Sequence, residues 1–235
     1  MRKFVLAAAA AALLVVPVLG QAPAAGQPPA AGQAAPAPAP GAQPQRPPQV
    51  PLGPNEWAID GGHSGAHFSV RHNVVSTVRG QLGRITGKVE YDGKDINSVK
   101  ADVSIDMNGV NTQNEGRDRD LRSANFFDVA NHPALTFKSR RVEPGTAGHF
   151  KLVGDLTIRG NSKEVVLDVD GPSPIVTSTG QRGTSVLTGA SATTKISRKE
   201  FGILWNNLIE AMPVVGDEVT ITIDLELRRT AAPGK

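Results

Sequence analysis

The sequence predicts an all-β fold, an extended antiparallel β-barrel of about eight strands with a short helical insert near 112–124. Three observations carry that expectation. Apolar and polar residues alternate with period two through most of the chain beyond residue 65, the pattern of strands that bury one face. The apolar positions of that pattern are mostly Val, Ile, Leu, Ala and Gly, with few large aromatics to fill a centre. One run breaks the alternation: six of the eight residues from Glu115 to Arg122 are charged, three of each sign, and the run ends in Phe126-Phe127.

From the N-terminus, Arg2 and Lys3 precede an apolar stretch, Phe4 to Leu19, interrupted by Pro17. It is short for a membrane span and has the layout of a signal peptide. Residues 1–20 are therefore expected to be a cleaved leader, with Val18-Leu19-Gly20 as one cut site and 22–25 as a second. That places the chain in the periplasm or outside the cell. Residues 21–54 hold eleven of the 18 prolines, and Arg46 is their one charge. Such a composition builds no core and predicts a disordered Pro/Ala-rich linker with polyproline II character. At about 3.1 Å per residue it reaches on the order of 100 Å.

Residues 55–230 are expected to form one domain, with 231–235 as a tail. Setting aside Arg2, Lys3 and Arg46 leaves 22 basic against 22 acidic residues. A balanced domain argues against nucleic-acid binding, which calls for a basic face. The chain has no cysteine, which excludes disulfides, thiolate nucleophiles, Cys-based metal sites and lipidation at an N-terminal Cys.

The strands follow in order. Ala66, Phe68, Val70 and His72 share one face, with His67, Ser69 and Arg71 on the other. Val99, Ala101, Val103, Ile105 and Met107 alternate with polar residues, as do Leu135 and Phe137. Leu152, Gly154, Leu156 and Ile158 form another face, and Val165, Leu167 and Val169 the next. The last strand is the clearest, with Val219, Ile221, Ile223, Leu225 and Leu227 against Thr220, Thr222, Asp224, Glu226 and Arg228. Asp92-Gly93, Pro144-Gly145, Arg159-Gly160-Asn161 and Gly180 separate many of them as turns. One-sided strands must bury their apolar sides together, in a barrel or in a solid sandwich. The small inward residues and the domain length favour a barrel, and eight strands enclose room for one small ligand.

In the insert, Thr112 and Glu115 stand at capping-box spacing. Asp118 and Arg122 are i,i+4 in the favourable order, and Arg117 and Leu121 share a stripe. Gly116 weakens the helix by up to ~1 kcal/mol. The helix is therefore short and depends on packing against the barrel, ending before His132-Pro133.

Four blocks in this order resemble the YceI family. The first is Trp57 to Asp60 with His63-Ser64, Phe68 to His72 and Val78 to Gly80. The second runs from Arg117-Asp118 through Leu121 to Ser123, Phe126 to Asp128, His132-Pro133 and Phe137 to Ser139. The third is Gly154 to Gly160, and the fourth Ile196 to Gly202 with Val215 to Val219. The resemblance covers essentially all of 56–230. It implies a lipocalin-like barrel that holds a long isoprenoid chain, with its polar head near the opening. It implies no metal and no catalytic residue. Asp120 stands where that family usually has His, Gln81 where Phe is common, and the tract 207–213 departs from the commonest form.

The candidate lining follows from the inward faces: Phe68, Val70, Val103, Ile105, Phe137, Leu156, Ile158 and Leu167. Leu121, Phe126 and Phe127 join it from the insert, and Phe201 and Trp205 from the fourth block. His72 continues the face of Phe68 and Val70, where it either bounds the cavity and meets a ligand head or is a satisfied core histidine. Arg117 and Asp118 are candidates for a polar head group, Arg being suited to phosphate. The equal numbers of acids and bases favour a structural pin instead.

A metal site at His63, His67 and His72 is disfavoured, because His67 and His72 point to opposite faces and no HExxH motif is present. No Gly-x-Ser-x-Gly elbow and no Gly-rich phosphate loop supports catalysis. The aliphatic inward faces, together with what the resemblance implies, favour a binding protein for a polyprenyl or quinone-type lipid, with no cofactor beyond that ligand. A lipid-modifying enzyme using the same cavity and a solid β-sandwich adhesion domain are the alternatives. The barrel edges and exposed insert leave room for a homodimer, and a carrier of lipid implies transient contact with the membrane or envelope proteins.

Overall fold

A computed structural model describes residues 52–180, 183–206, 208–209 and 212–230. The expected leader, all but the last three residues of the expected linker, and the tail at 231–235 lie outside the described residues. The strands are β1 (Glu56–Ile59), β2 (Gly65–His72), β3 (Ser76–Gln81), β4 (Ile85–Glu90) and β5 (Lys100–Asp106). One helix, α1 (Glu115–Arg122), follows. Then come β6 (Ala134–Pro144), β7 (His149–Ile158), β8 (Asn161–Asp170), β9 (Val176–Gly180) and β10 (Gly183–Ser197). The short pair β11 (Leu208–Ile209) and β12 (Met212–Pro213) precedes β13 (Val215–Thr230).

All neighbouring strands are antiparallel. The order β13-β1-β4-β5-β6-β7-β8-β10 returns to β13 through the β10–β13 ladder, closing an eight-stranded barrel. The solid-sandwich alternative is therefore not the observed fold. β13 binds β10 from Glu218 to Thr230 on one edge. On its other edge it meets β2 and then β1. At 16 residues it spans about 50 Å, which makes the barrel long. β1 and β2 act as one broken strand paired with β3 and β4, so the barrel wall extends past Ile85 as a β2–β3 hairpin.

The alternation predicts which faces turn inward, and the pairing aligns them. Val70 meets Val219 and Phe68 meets Ile221; Val103 meets Phe137 and Ile105 meets Leu135; Leu152 meets Leu167. The core is the inside of the barrel. Gly80 lies opposite Phe68, and a Cβ there would stand 2.5 Å from the Phe68 ring. Any side chain at this position would collide with the ring.

The insert fills a gap in the wall. β5 stops at Asp106, whose side chain accepts from Asn108 N–H (3.0 Å) and turns the chain out of the sheet. Among the described residues, β3 consequently has no strand on its outer edge apart from one bridge, Gln81 with Asn111. The segment carrying α1 covers that edge. The N-cap of α1 is Asn114, whose Oδ1 accepts from Arg117 N–H (2.9 Å), and not Thr112 as the spacing predicts. Thr112 has a different task, because its N–H and hydroxyl both donate to Asp118 Oδ1 (2.8 and 2.5 Å). Arg122 donates to Val110 O (3.2 Å) instead of pairing with Asp118.

Candidate ligand-binding cavity

The barrel encloses two cavities, placed end to end. The inner one, about 100 Å³, is lined by β4, β5, β6, β7, β8, β10 and β13. Val103, Ile105, Phe137, Leu156 and Leu167 face it, and Ser191 and Thr194 are its only polar lining residues among the described residues. The second, about 70 Å³, lies toward the insert and is faced by Phe68, Val70, Leu121, Phe126, Phe127 and Ile158. Arg198 is its only polar lining residue among the described residues. Leu82, Leu135 and Ile221 border both cavities and form a waist between them. All three are buried. A chain without hydrogen-bonding groups matches such walls, because neither partner leaves a polar group unsatisfied.

Beyond the second cavity is a vestibule of about 370 Å³, which shares Phe68, Val70, Leu121, Phe126 and Val215 with it. Here the lining turns polar, with Arg71, His72, Arg117 and Asp120. Arg117 is held by Thr112, through Nε to Oγ1 (2.8 Å) and Nη2 to O (3.0 Å). Asp120 accepts from Ser123 Oγ and Asn125 Nδ2, each at 3.4 Å. The half-buried His72 imidazole has no hydrogen-bond partner among the described residues. At the other end of the barrel Trp57 is fully buried, with Nε1 donating to Tyr91 O (2.9 Å) and Arg229 over its ring (4.3 Å).

Two arginines hold the lip. Buried Arg198 donates to four carbonyls: Gly216 (2.9 Å), Ile203 (2.6 Å), Trp205 (2.9 Å) and Val215 (3.2 Å). Burial lowers its pKa and Asp217 opposes that shift. Arg159, in the two-residue β7–β8 turn, donates to Phe126 O (3.2 Å) and Gly202 O (3.0 Å). Phe126 in turn packs on Trp205, with centroids 5.3 Å apart and planes at 43°. The insert, the turn after β10 and the start of β13 are thereby tied into one rim.

The structure brings most of the sequence-predicted lining together. Two candidates sit elsewhere. Asp118 is buried against Thr112 and lines neither cavity nor vestibule. Its geometry is that of a pin for the insert. Phe201 is 1% exposed and packs in the turn after β10, outside both cavities. Sequence reasoning did not single out Leu82, Ala190, Ala192, Thr194 and Ile196, all of which line the interior. The alternation of β10 is masked because its inward residues are small. At the outer surface Asp60, His63 and Glu226 bring carboxylate and imidazole atoms within 4.8 Å of one another. Asp60 is already paired with Arg228 (2.9 Å).

Comparisons with known proteins agree with this geometry. A UPF0312 protein of Staphylococcus aureus is 34% identical over 154 residues, covering 66% of this chain and 85% of the relative. Among solved structures, the Campylobacter jejuni YCEI protein superposes with a TM-score of 0.55 at 28% identity, over 66% of this chain and 87% of that one. Two more distant neighbours show the same fold. BcnA of Burkholderia cenocepacia has a TM-score of 0.56 at 20% identity, covering 73% and 99% of the two chains. A polyisoprenoid binding domain from Saccharophagus degradans has 0.52 at 16%, covering 75% and 98%. The family model of the YceI-like domain matches residues 57–227, most of the chain, and the chain therefore belongs to the YceI-like family.

Proposed function

We propose that this protein binds a long isoprenoid lipid, polyprenyl or quinone-type, inside the barrel and stores or carries it in the cell envelope. The observation that carries this reading is the continuous apolar lining of the two cavities, opening on a polar vestibule. The isoprenoid tail lies past the waist, against Val103, Ile105, Phe137, Leu156 and Leu167. Phe68, Val70, Leu121, Phe126, Phe127 and Ile158 enclose its middle. The head rests in the vestibule, where His72, Arg117 and Trp205 are placed. The Saccharophagus degradans neighbour, described as polyisoprenoid binding, supports the same ligand class. The apolar leader at 1–20 supports export to the periplasm or beyond. The role assigned is binding rather than catalysis, and the lipid is cargo rather than a cofactor.

The test is extraction of the purified protein with organic solvent, together with native mass spectrometry. A bound isoprenoid of defined length is the expected result. A barrel that purifies empty and takes up neither added polyprenol nor added ubiquinone overturns the proposal.

A further inference from the structure

We propose that the tip of the β2–β3 hairpin is a membrane-docking element that sets the mouth of the barrel against a lipid bilayer. The proposal rests on the cavity reading above, since docking serves entry and exit of an apolar chain. The tip is a turn closed by Val75 N–H to His72 O (3.2 Å). Asn73 and Val74 both have positive φ, 49° and 61°. That is the geometry of a tight hairpin turn, for which Asn-Gly is the favoured pair. Asn73 suits its place. Val74 does not, because a β-branched residue is strained in the left-handed region. Packing does not compensate: Val74 is 51% exposed and Val75 80%. Glycine and serine would form the turn with less strain and better solvation, so the two isopropyl groups do not serve the fold.

Their position supplies the reason. Arg71, His72 and Val78 on the two arms of this hairpin line the vestibule, together with Val214 and Trp205. Asn73 N–H donates to Val214 O (2.8 Å), fixing the tip to the segment that enters β13, the strand paired with β2. Leu204, 67% exposed, immediately precedes Trp205, which lines the same vestibule. Arg71 places a cation directly behind the valines, held by Thr77 Oγ1 (3.0 Å) and by Val74 O. Apolar prongs backed by a guanidinium match the acyl boundary and anionic head groups of a bilayer surface. An uncharged isoprenoid has almost no aqueous concentration, so the rim that touches the membrane is the one through which it passes.

The chain has no cysteine, so Val75→Cys in the full chain accepts a single environment-sensitive fluorophore. With vesicles of phosphatidylethanolamine and phosphatidylglycerol, the label at 75 shifts to the blue and is quenched by bilayer-buried nitroxide. The same label at Val176→Cys, exposed on β9, stays in water. A label at 75 that remains in water with vesicles present overturns the proposal. A second variant, Val74→Gly with Val75→Ser, takes up polyprenol from these vesicles roughly tenfold more slowly, the loss of about two buried methylene equivalents. Its uptake from detergent micelles is unchanged. Equal slowing from both sources overturns docking and assigns the tip to the cavity itself. Failure of the wild type to take up polyprenol from either source sinks the cavity reading, and the label at 75 still decides docking.

Discussion

Replacement of Arg198 by Met tests whether the rim of the barrel depends on one buried cation. Arg198 is 3% exposed, and its guanidinium spends every hydrogen bond found for it on backbone carbonyls of 203–205 and 215–216. Met preserves length and apolar contact and removes the donors. Val215 O keeps a second donor, Asn206 Nδ2 (2.9 Å). The carbonyls of Ile203, Trp205 and Gly216 lose theirs. A buried acceptor left unsatisfied costs about 1–3 kcal/mol. Relief from burying the charge offsets part of the sum, which leaves a loss of roughly 3–5 kcal/mol. For a domain of this size that lowers Tm by roughly 6–20 °C. Arg198→Lys falls between, since three donors on one nitrogen cannot span both segments. The measurement is urea unfolding of ligand-free protein followed by circular dichroism, with Trp205 fluorescence in a Trp57→Phe background, shared by both proteins compared, reporting the rim. A loss below about 1 kcal/mol for Arg198→Met, with the slope of the urea dependence unchanged, would refute the argument.

Two further outcomes concern the waist and a surface carboxylate. Leu135→Ala opens the waist shared by the two cavities and costs the empty protein about 2–5 kcal/mol. The loss is smaller once polyprenol fills the space, and an equal fall in Tm with and without lipid contradicts a single joined cavity. Asp60 gives a pH dependence of definite sign. Burial by itself raises its carboxyl, but Gly62 N–H, Arg228 and His63 outweigh that and hold it below the ordinary carboxylate value. A depressed folded pKa contributes stability above the unfolded value of about 3.9, and that stability is lost as pH falls through the folded value. The advantage of wild type over Asp60→Asn is therefore full near neutrality and fades below about pH 4. A Tm difference that stays constant across that range is inconsistent with the assignment.

The strands and the inward faces were legible wherever apolar and polar residues contrast. β13 shows this best, since every odd position from Val219 to Leu227 lies on the inner side. Contrast fails in β10, where Ala190, Ala192 and Thr194 carry the inner face. It fails too at Leu82, which reaches the cavity from the bend between β3 and β4. The extent of the insert was readable from its charge, but its cap was not. Thr112 has the spacing of an N-cap, yet its hydroxyl and N–H are taken by Asp118 and its carbonyl by Arg117. Asn114 fills the vacated role.

The sequence by itself determined a one-sided β pattern that has to close around its apolar faces, and a charged insert that breaks the pattern and packs against the barrel through Phe126 and Phe127. Local periodicity decides this, because burying one face of each strand is a demand every segment makes alone. Only the tertiary structure decided that Leu82, Leu135 and Ile221 meet at a waist, since register brings distant segments together and leaves no local trace. The same holds for Arg198 and Arg159. Their acceptors are main-chain carbonyls, which every residue type carries, so no pattern of side chains can announce where a buried guanidinium will find them.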